Sequence, residues 1–249
     1  MSEQARAGGS PLTFHEIQTE STEKKYRYRP LKGLTYAVLA FGALHCLTAL
    51  VVVVSLLHQW QLLARMGANF FPSREVMLAA ANASDRAARA AAAVFEIFLL
   101  LTYISGGMWI YRANSNVRAR GAKRLESSPG WAVGWYFVPY MSLFKPFGAM
   151  VEIWNASISS DRWRSRPTPG LLHAWWALWL IANMFGYLVA VMTRGSRSLA
   201  GLIVQTRLGI ASMVIDTIAA AVFLTVVWRI TQLQANAPAA ASQTADLFS

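Results

Sequence analysis

LTYAVLAFGALHCLTALVVVVSLLH, residues 34–58, decides the class of fold: the run contains no Asp, Glu, Lys or Arg. As a helix it covers the roughly 30 Å hydrocarbon core of a bilayer. Directly before it, Lys24, Lys25, Arg27, Arg29 and Lys32 interleave with Tyr26 and Tyr28, the basic and aromatic collar of a membrane interface. Residues 1–23 are polar and rich in Gly, Ser, Thr and Gln, so 1–33 reads as a disordered basic tail on the cytoplasmic side. No small-residue cleavage site follows the run, which makes it an uncleaved anchor rather than a signal peptide.

Outward from this anchor, apolar runs recur at about 91–111, 171–193 and 208–228. The chain is 55% apolar and only 14% charged, where soluble domains average nearer a quarter charged. The expected fold is therefore all-α: a polytopic membrane helix bundle over 34–231, with four transmembrane helices and a disordered tail at 232–249. Pro72-Ser73 ends the interfacial stretch 59–73, and Ser73 can cap a helix whose first turn holds Glu75. The Ala-rich residues 74–90 run straight into the second span, which predicts one long helix projecting beyond the outer face. The net charge of +11 sits beside apolar runs, where it sets topology and attracts anionic headgroups. No stacking platform or groove-reading motif accompanies it, so nucleic acid is not expected as a partner. The single cysteine, Cys46, excludes an intrachain disulfide and any multi-cysteine metal centre.

The ambiguous stretch is 131–154, WAVGWYFVPYMSLFKPFGAMVEIW. It is apolar enough to cross, yet a Lys at mid-membrane costs about 3 kcal/mol. Pro139 and Pro146 would also remove backbone donors where no water replaces them. A re-entrant or interfacial hairpin over 129–157 avoids both costs. It enters as a short helix, turns near Pro139–Ser142, and returns as an amphipathic helix. Phe144, Phe147, Val151 and Trp154 then share one face, with Lys145 and Glu152 on others. Four crossings put fifteen cations on the inner side and seven on the outer, against fourteen and eight for five crossings. The positive-inside rule thus leans the same way, with both termini cytoplasmic.

Among the polar residues inside the spans, Asp216, His45, Glu96 and Asn183 are the candidates for a role. Asp216 lies about eight residues into its span, roughly 12 Å deep, where a carboxyl is costly unless paired, protonated or hydrated. His45 enters from the opposite side to a similar depth, so contact between the two is geometrically allowed. Such a pair could be proton-linked, or it could be a structural bond between packed helices, the simpler reading. Glu96 lies about a turn and a half inside its span. Trp109 and Trp228, each followed closely by an Arg, have the look of interfacial anchors. No histidine pair shares a helix face at metal or haem spacing, so no metal or cofactor is expected. Walker, GxGxxG, GxSxG and HExxH signatures are all missing.

The densest pattern lies between the second span and the hairpin. Ser128-Pro129 is a good cap and first-turn pair. Beside it Arg112, Arg118, Arg120, Lys123, Arg124 and Lys145, with Trp131 and Trp135, form a candidate corner for an anion or an anionic lipid. Plain interfacial anchoring explains the same residues more simply. The run Arg112-Ala-x-x-Asn116, Arg118-Ala-x-Gly121, Ser128-Pro-Gly-Trp131-Ala-Val-Gly-Trp135, Pro139 and Phe144-Lys145-Pro146 resembles the bacterial family known as domain of unknown function 4328. The likeness is specific through 112–157 and looser across 40–230. It implies a multi-pass bacterial membrane protein, and it brings no activity, ligand or catalytic residue with it; the composition and topology point to the cytoplasmic membrane. Two function classes follow from the residues. One is a non-catalytic scaffold, regulator or subunit that binds membrane lipids, anionic ones included, or another membrane protein or second copy. The other is a small proton- or ion-coupled transporter or channel using Asp216, His45 and Glu96. An intramembrane enzyme lacks any recognisable nucleophile–base set and comes last.

Overall fold

A computed structural model describes residues 26–195 and 198–236; of the tails expected over 1–33 and 232–249, residues 1–25 and 237–249 lie outside the described residues. Six α-helices carry the chain: α1 (Lys32–Gly67), α2 (Arg74–Ala119), α3 (Pro129–Gly134), α4 (Lys145–Ile158), α5 (Gly170–Thr193) and α6 (Leu199–Asn236). Four of them, α1, α2, α5 and α6, are long and apolar enough to cross a membrane. Their lengths exceed what the bilayer needs. The 46 residues of α2 amount to about 69 Å of helix. The Ser73 hydroxyl accepts from the Val76 N–H at 3.3 Å and starts that helix in the Ala-rich stretch. It ends at Gly121, whose φ of +86° is left-handed and favours glycine.

Two boundaries differ from the hydropathy reading. Helix α1 continues to Gly67 through the stretch expected to be interfacial, and α6 runs to Asn236 instead of giving way at 231. Hydropathy ends where the hydrocarbon ends, whereas helical hydrogen bonding continues as long as the chain has donors and no breaker. Residues 26–31 also have a defined place against the bundle, with Leu31 buried.

Helix α1 packs on both α2 and α6, and α6 in turn packs on α5. The order α2–α1–α6–α5 is an open arc. Gly42 sets the approach of α1 to α6: a Cβ there would lie 2.5 Å from Leu224 Cδ2. The stretch 129–158 holds no helix long enough to cross. It forms α3, two 3₁₀ turns (Trp135–Phe137 and Met141–Leu143) and α4. Ser128 Oγ accepts from Trp131 N at 3.3 Å with Pro129 in the first turn. At the tip Phe137, Tyr140 and Phe144 are 70–82% exposed, the exposure expected of side chains dipping into lipid.

The amphipathic face of α4 differs in detail from the spacing argument. Phe147, Val151 and Trp154 do pack on the core, but Phe144 is exposed and Glu152 is buried. Phe144 precedes the helix and so does not share its face. Glu152 turns inward because its carboxylate accepts backbone N–H groups of Glu126, at 2.7 Å, and Ser127, at 3.4 Å. The main core gathers where this hairpin meets the long helices: Trp109, Met150, Ile153, Leu172, Val226 and Ile230.

Candidate functional site

Two polar arrangements and one crevice stand out. The first arrangement is a buried network at the end of the bundle that carries the hairpin. Trp109 Nε1 donates to Thr35 Oγ1 (3.0 Å) and Thr231 Oγ1 (3.2 Å), and the two hydroxyls are 2.7 Å apart. Trp109 is thus fully buried between α1 and α6, not an interfacial anchor, while Trp228 is 41% exposed. One turn further on, Gln234 Nε2 donates to Ala113 O (3.1 Å) and Ser157 Oγ (3.0 Å), and its Oε1 accepts from Asn116 Nδ2 (3.0 Å). The Asn116 amide also accepts from Arg29 N at 2.9 Å and donates to Arg29 O at 2.8 Å. This pairing ties the segment before α1 to α2.

Within the arginine-rich corner the cations divide. Arg118 turns inward: Nε donates to Asn114 Oδ1 (3.0 Å), and Nη2 to Ser127 O (2.8 Å) and Leu125 O (3.3 Å). Arg120 donates to Gln234 O and lies 4.7 Å over the Tyr28 ring, satisfying a carbonyl at the open end of α6. Lys145 pairs with Glu126 at 3.5 Å. Lys123 and Arg124 stay exposed. The Trp131 and Trp135 rings lie 4.5 Å apart, tilted by 31°. The corner is therefore not one convergent site: the Arg118 and Arg120 guanidinium groups tie down loop and helix-end carbonyls.

The second arrangement is His45 with Asp216. His45 Nε2 lies 2.9 Å from Asp216 Oδ2, joining α1 to α6. The His45 side chain is 2% exposed and that of Asp216 29%. The imidazole packs on Phe95 at 4.8 Å, and its Nδ1 is buried without a partner.

Asp216 reaches a crevice of about 1010 Å³. His45, Asp216, Ala219, Ala220 and Phe223 form its floor, with Leu100, Tyr103, Ile104 and Met108 of α2 on one side and Trp175, Trp179 and Ala182 of α5 on the other. Those four α2 side chains are each more than half exposed, so the crevice opens along that flank. Val133, Tyr136 and Phe137 close it from the hairpin, and Arg27, Arg29 and Arg112 line its basic end. Asn183 also lines it, although its amide is used on Trp179 O in its own helix (2.8 Å). Glu96 is exposed and is not part of the lining.

Residue spacing does not single out Asn116, Gln234, Glu152 or the crevice role of Arg27 and Arg29. The available signal is that α2 and α6 stay helical beyond their apolar runs and carry amides there, at Asn114, Asn116 and Gln234. Such side chains seek partners among neighbouring helices.

Fold and site together define a polytopic helical membrane protein with a crevice between α2 and α5. The chain belongs to the family described as domain of unknown function (DUF4328), which it matches over residues 73–232. That segment spans α2 to α6 and holds Asp216, while His45 on α1 lies outside it. No curated protein and no solved structure matches the chain.

Proposed function

We propose that this protein is a non-catalytic component of a bacterial cytoplasmic membrane, a scaffold, regulator or subunit that takes a lipid from the bilayer into the crevice between α2 and α5. The crevice carries this reading. Its volume of about 1010 Å³ stands at the upper end of small-molecule sites. Its walls are apolar along the depth of the hydrocarbon, and the flank along α2 is open. In this reading the basic end, with the hairpin and both described chain ends, faces the cytoplasm.

The test fills the crevice. Ala182→Phe with Ala220→Phe places two rings in the lining, and native mass spectrometry of protein in mild detergent counts retained lipid. At least a tenfold loss of bound lipid, with thermal unfolding unchanged, is the expected result. Wild-type retention in the filled variant would overturn it.

A second reading has its own observation: the 2.9 Å His45–Asp216 pair with Asp216 open to the crevice. A proton or cation path could use such a pair. Glu96 drops out of it, since Glu96 does not line the crevice. In proteoliposomes, a gradient-driven proton or sodium flux lost on Asp216→Leu would favour this path. The absence of flux in wild type favours the lipid site.

A further inference from the structure

We infer that the crevice selects a phosphate-bearing lipid, with the headgroup held by Arg27, Arg29 and Arg112 and the chains lying between α2 and α5; this rests on the crevice being a lipid site. The three guanidinium groups line one end of an otherwise apolar space. No carboxylate lies within ion-pairing distance of any of them among the described residues. Arg118 and Arg120, by contrast, are occupied with carbonyls of their own chain.

Two of the three cations come from a segment fixed in place. Asn116 grips both the N–H and the C=O of Arg29, at 2.9 and 2.8 Å. The Tyr28 hydroxyl donates to Gln234 O at 3.5 Å under the Arg120 guanidinium. Leu31 is buried behind them. Arg27 and Arg29 are therefore presented on an anchored strap across from Arg112 on α2, and the Ser115 hydroxyl lies in the same lining. Planar guanidinium groups match phosphate oxygens bidentately, and three of them together suit the several oxygens of a phosphate headgroup.

Complementarity at both ends decides the occupant. A soluble anion would leave the apolar length of the crevice unused, and an uncharged lipid would leave three cations unneutralised. The lining holds one carboxylate, Asp216, already paired with His45 deep in the bundle, so a cationic head has no counterpart at the basic end.

The experiment titrates delipidated full-length protein, by native mass spectrometry, with phosphatidylglycerol, with diacylglycerol of the same chains, and with inorganic phosphate. Wild type should bind phosphatidylglycerol well ahead of diacylglycerol. Arg27→Gln with Arg29→Gln and Arg112→Gln should weaken phosphatidylglycerol about a hundredfold, at roughly fivefold per cation near a membrane surface, and leave diacylglycerol unchanged. Lys123→Gln with Arg124→Gln, exposed cations outside the crevice, should change neither by more than about threefold. The inference is overturned if the triple variant keeps phosphatidylglycerol, if wild type does not distinguish the two lipids, or if inorganic phosphate competes at the lipid's own affinity. The crevice-filled Ala182→Phe, Ala220→Phe variant separates the two ideas. If it loses both lipids while the arginine variant behaves as wild type, the headgroup assignment fails and the crevice stands. If it keeps phosphatidylglycerol that the arginine variant loses, the crevice reading fails.

Discussion

Gln234 and Gln232 are the same residue type two positions apart on α6, and the structure gives them opposite weight. Gln234 is 1% exposed and makes three side-chain hydrogen bonds, to Ala113 O, Ser157 Oγ and Asn116 Nδ2. Gln232 lies in an open groove beside Trp154 and Arg229, and its side chain has no hydrogen-bond partner among the described residues. Gln234→Leu keeps most of the volume but removes all three bonds. Each is worth about 0.5–1.5 kcal/mol net, and bonds between helices in bilayers average about 0.6 kcal/mol. Asn116 and Ser157 retain other partners, Arg29 O and Ile153 O, so full desolvation penalties do not apply. The expected loss is about 2–3 kcal/mol, or roughly 5–10 °C in melting temperature for a chain of this size. Gln232→Leu should stay within about 0.5 kcal/mol of wild type, as exposed substitutions do. The assay is thermal unfolding in a mild detergent, following helical circular dichroism and tryptophan fluorescence together. A Gln234→Leu protein that melts with wild type, or a Gln232→Leu protein that falls as far, would refute the claim that the buried network holds this end together.

Two further outcomes are expected. Gly42→Val places a Cβ within 2.5–2.9 Å of the Leu224 methyls, so it should cost about 1–3 kcal/mol by overpacking, and Leu224→Ala added to it should recover part of that loss; a neutral Gly42→Val in thermal unfolding would show that α1 and α6 are not in close contact there. Burial pushes the Glu152 carboxyl above its ordinary value of 4.5, with the Glu126 and Ser127 N–H groups pulling the other way. The folded protein therefore binds this proton more readily than the unfolded chain, a stabilisation fully present below about pH 4.5 and lost as pH rises through the raised value. Measured against Glu152→Gln, wild type should gain stability as pH is lowered from 7 to 4, and a difference that is flat or runs the other way would sink the assignment.

The parts of this architecture legible in the sequence are those that add up along one helix. Residues 34–58 are long and apolar enough to span, and Lys145 between Pro139 and Pro146 makes a crossing by the next candidate costly. Both arguments need only transfer energies and backbone donors. Side-chain destinations are different, because they depend on which helix faces which. Arg118 and Arg120 look like free surface cations in the run 112–124. In the structure the chain reverses at Gly121 and brings the carbonyls of Leu125 and Ser127 back to Arg118, while the end of α6 comes down beside Arg120. Glu152 and Phe144 exchange the burial their helical spacing suggests for a similar reason: a loop lies over one and the helix starts after the other. Trp109 and Trp228 occupy similar sequence settings at the same end of their helices, and the packing of α1 and α6 around Trp109 separates a buried donor from an exposed ring.

The crevice itself raises a physical question, since a soluble bundle would close such a gap. In a bilayer the force to close it is weak, because lipid tails are as apolar as the side chains they replace. What matters is whether specific contacts pull α2 and α5 together or hold them apart. On the α5 side Trp176 and Trp179 stack at 4.8 Å, and Trp175 packs on Phe223 of α6 at 5.9 Å. The Trp175–Phe223 contact commits α5 to α6, and across the crevice α2 meets α5 through the Tyr103 and Trp179 side chains. Between the two flanks stands the hairpin. Tyr136 meets Trp179 edge-on at 5.9 Å, while Val133 Cγ1 lies 3.4 Å from the position of a Cβ on Gly107. The hairpin thus touches α2 and α5 at once and acts as a wedge at the basic end. Pro139 and Lys145, which keep this segment from crossing, are on this account also what leaves room for a lipid between the second and third spans: a fifth crossing at the same place would fill the crevice with protein.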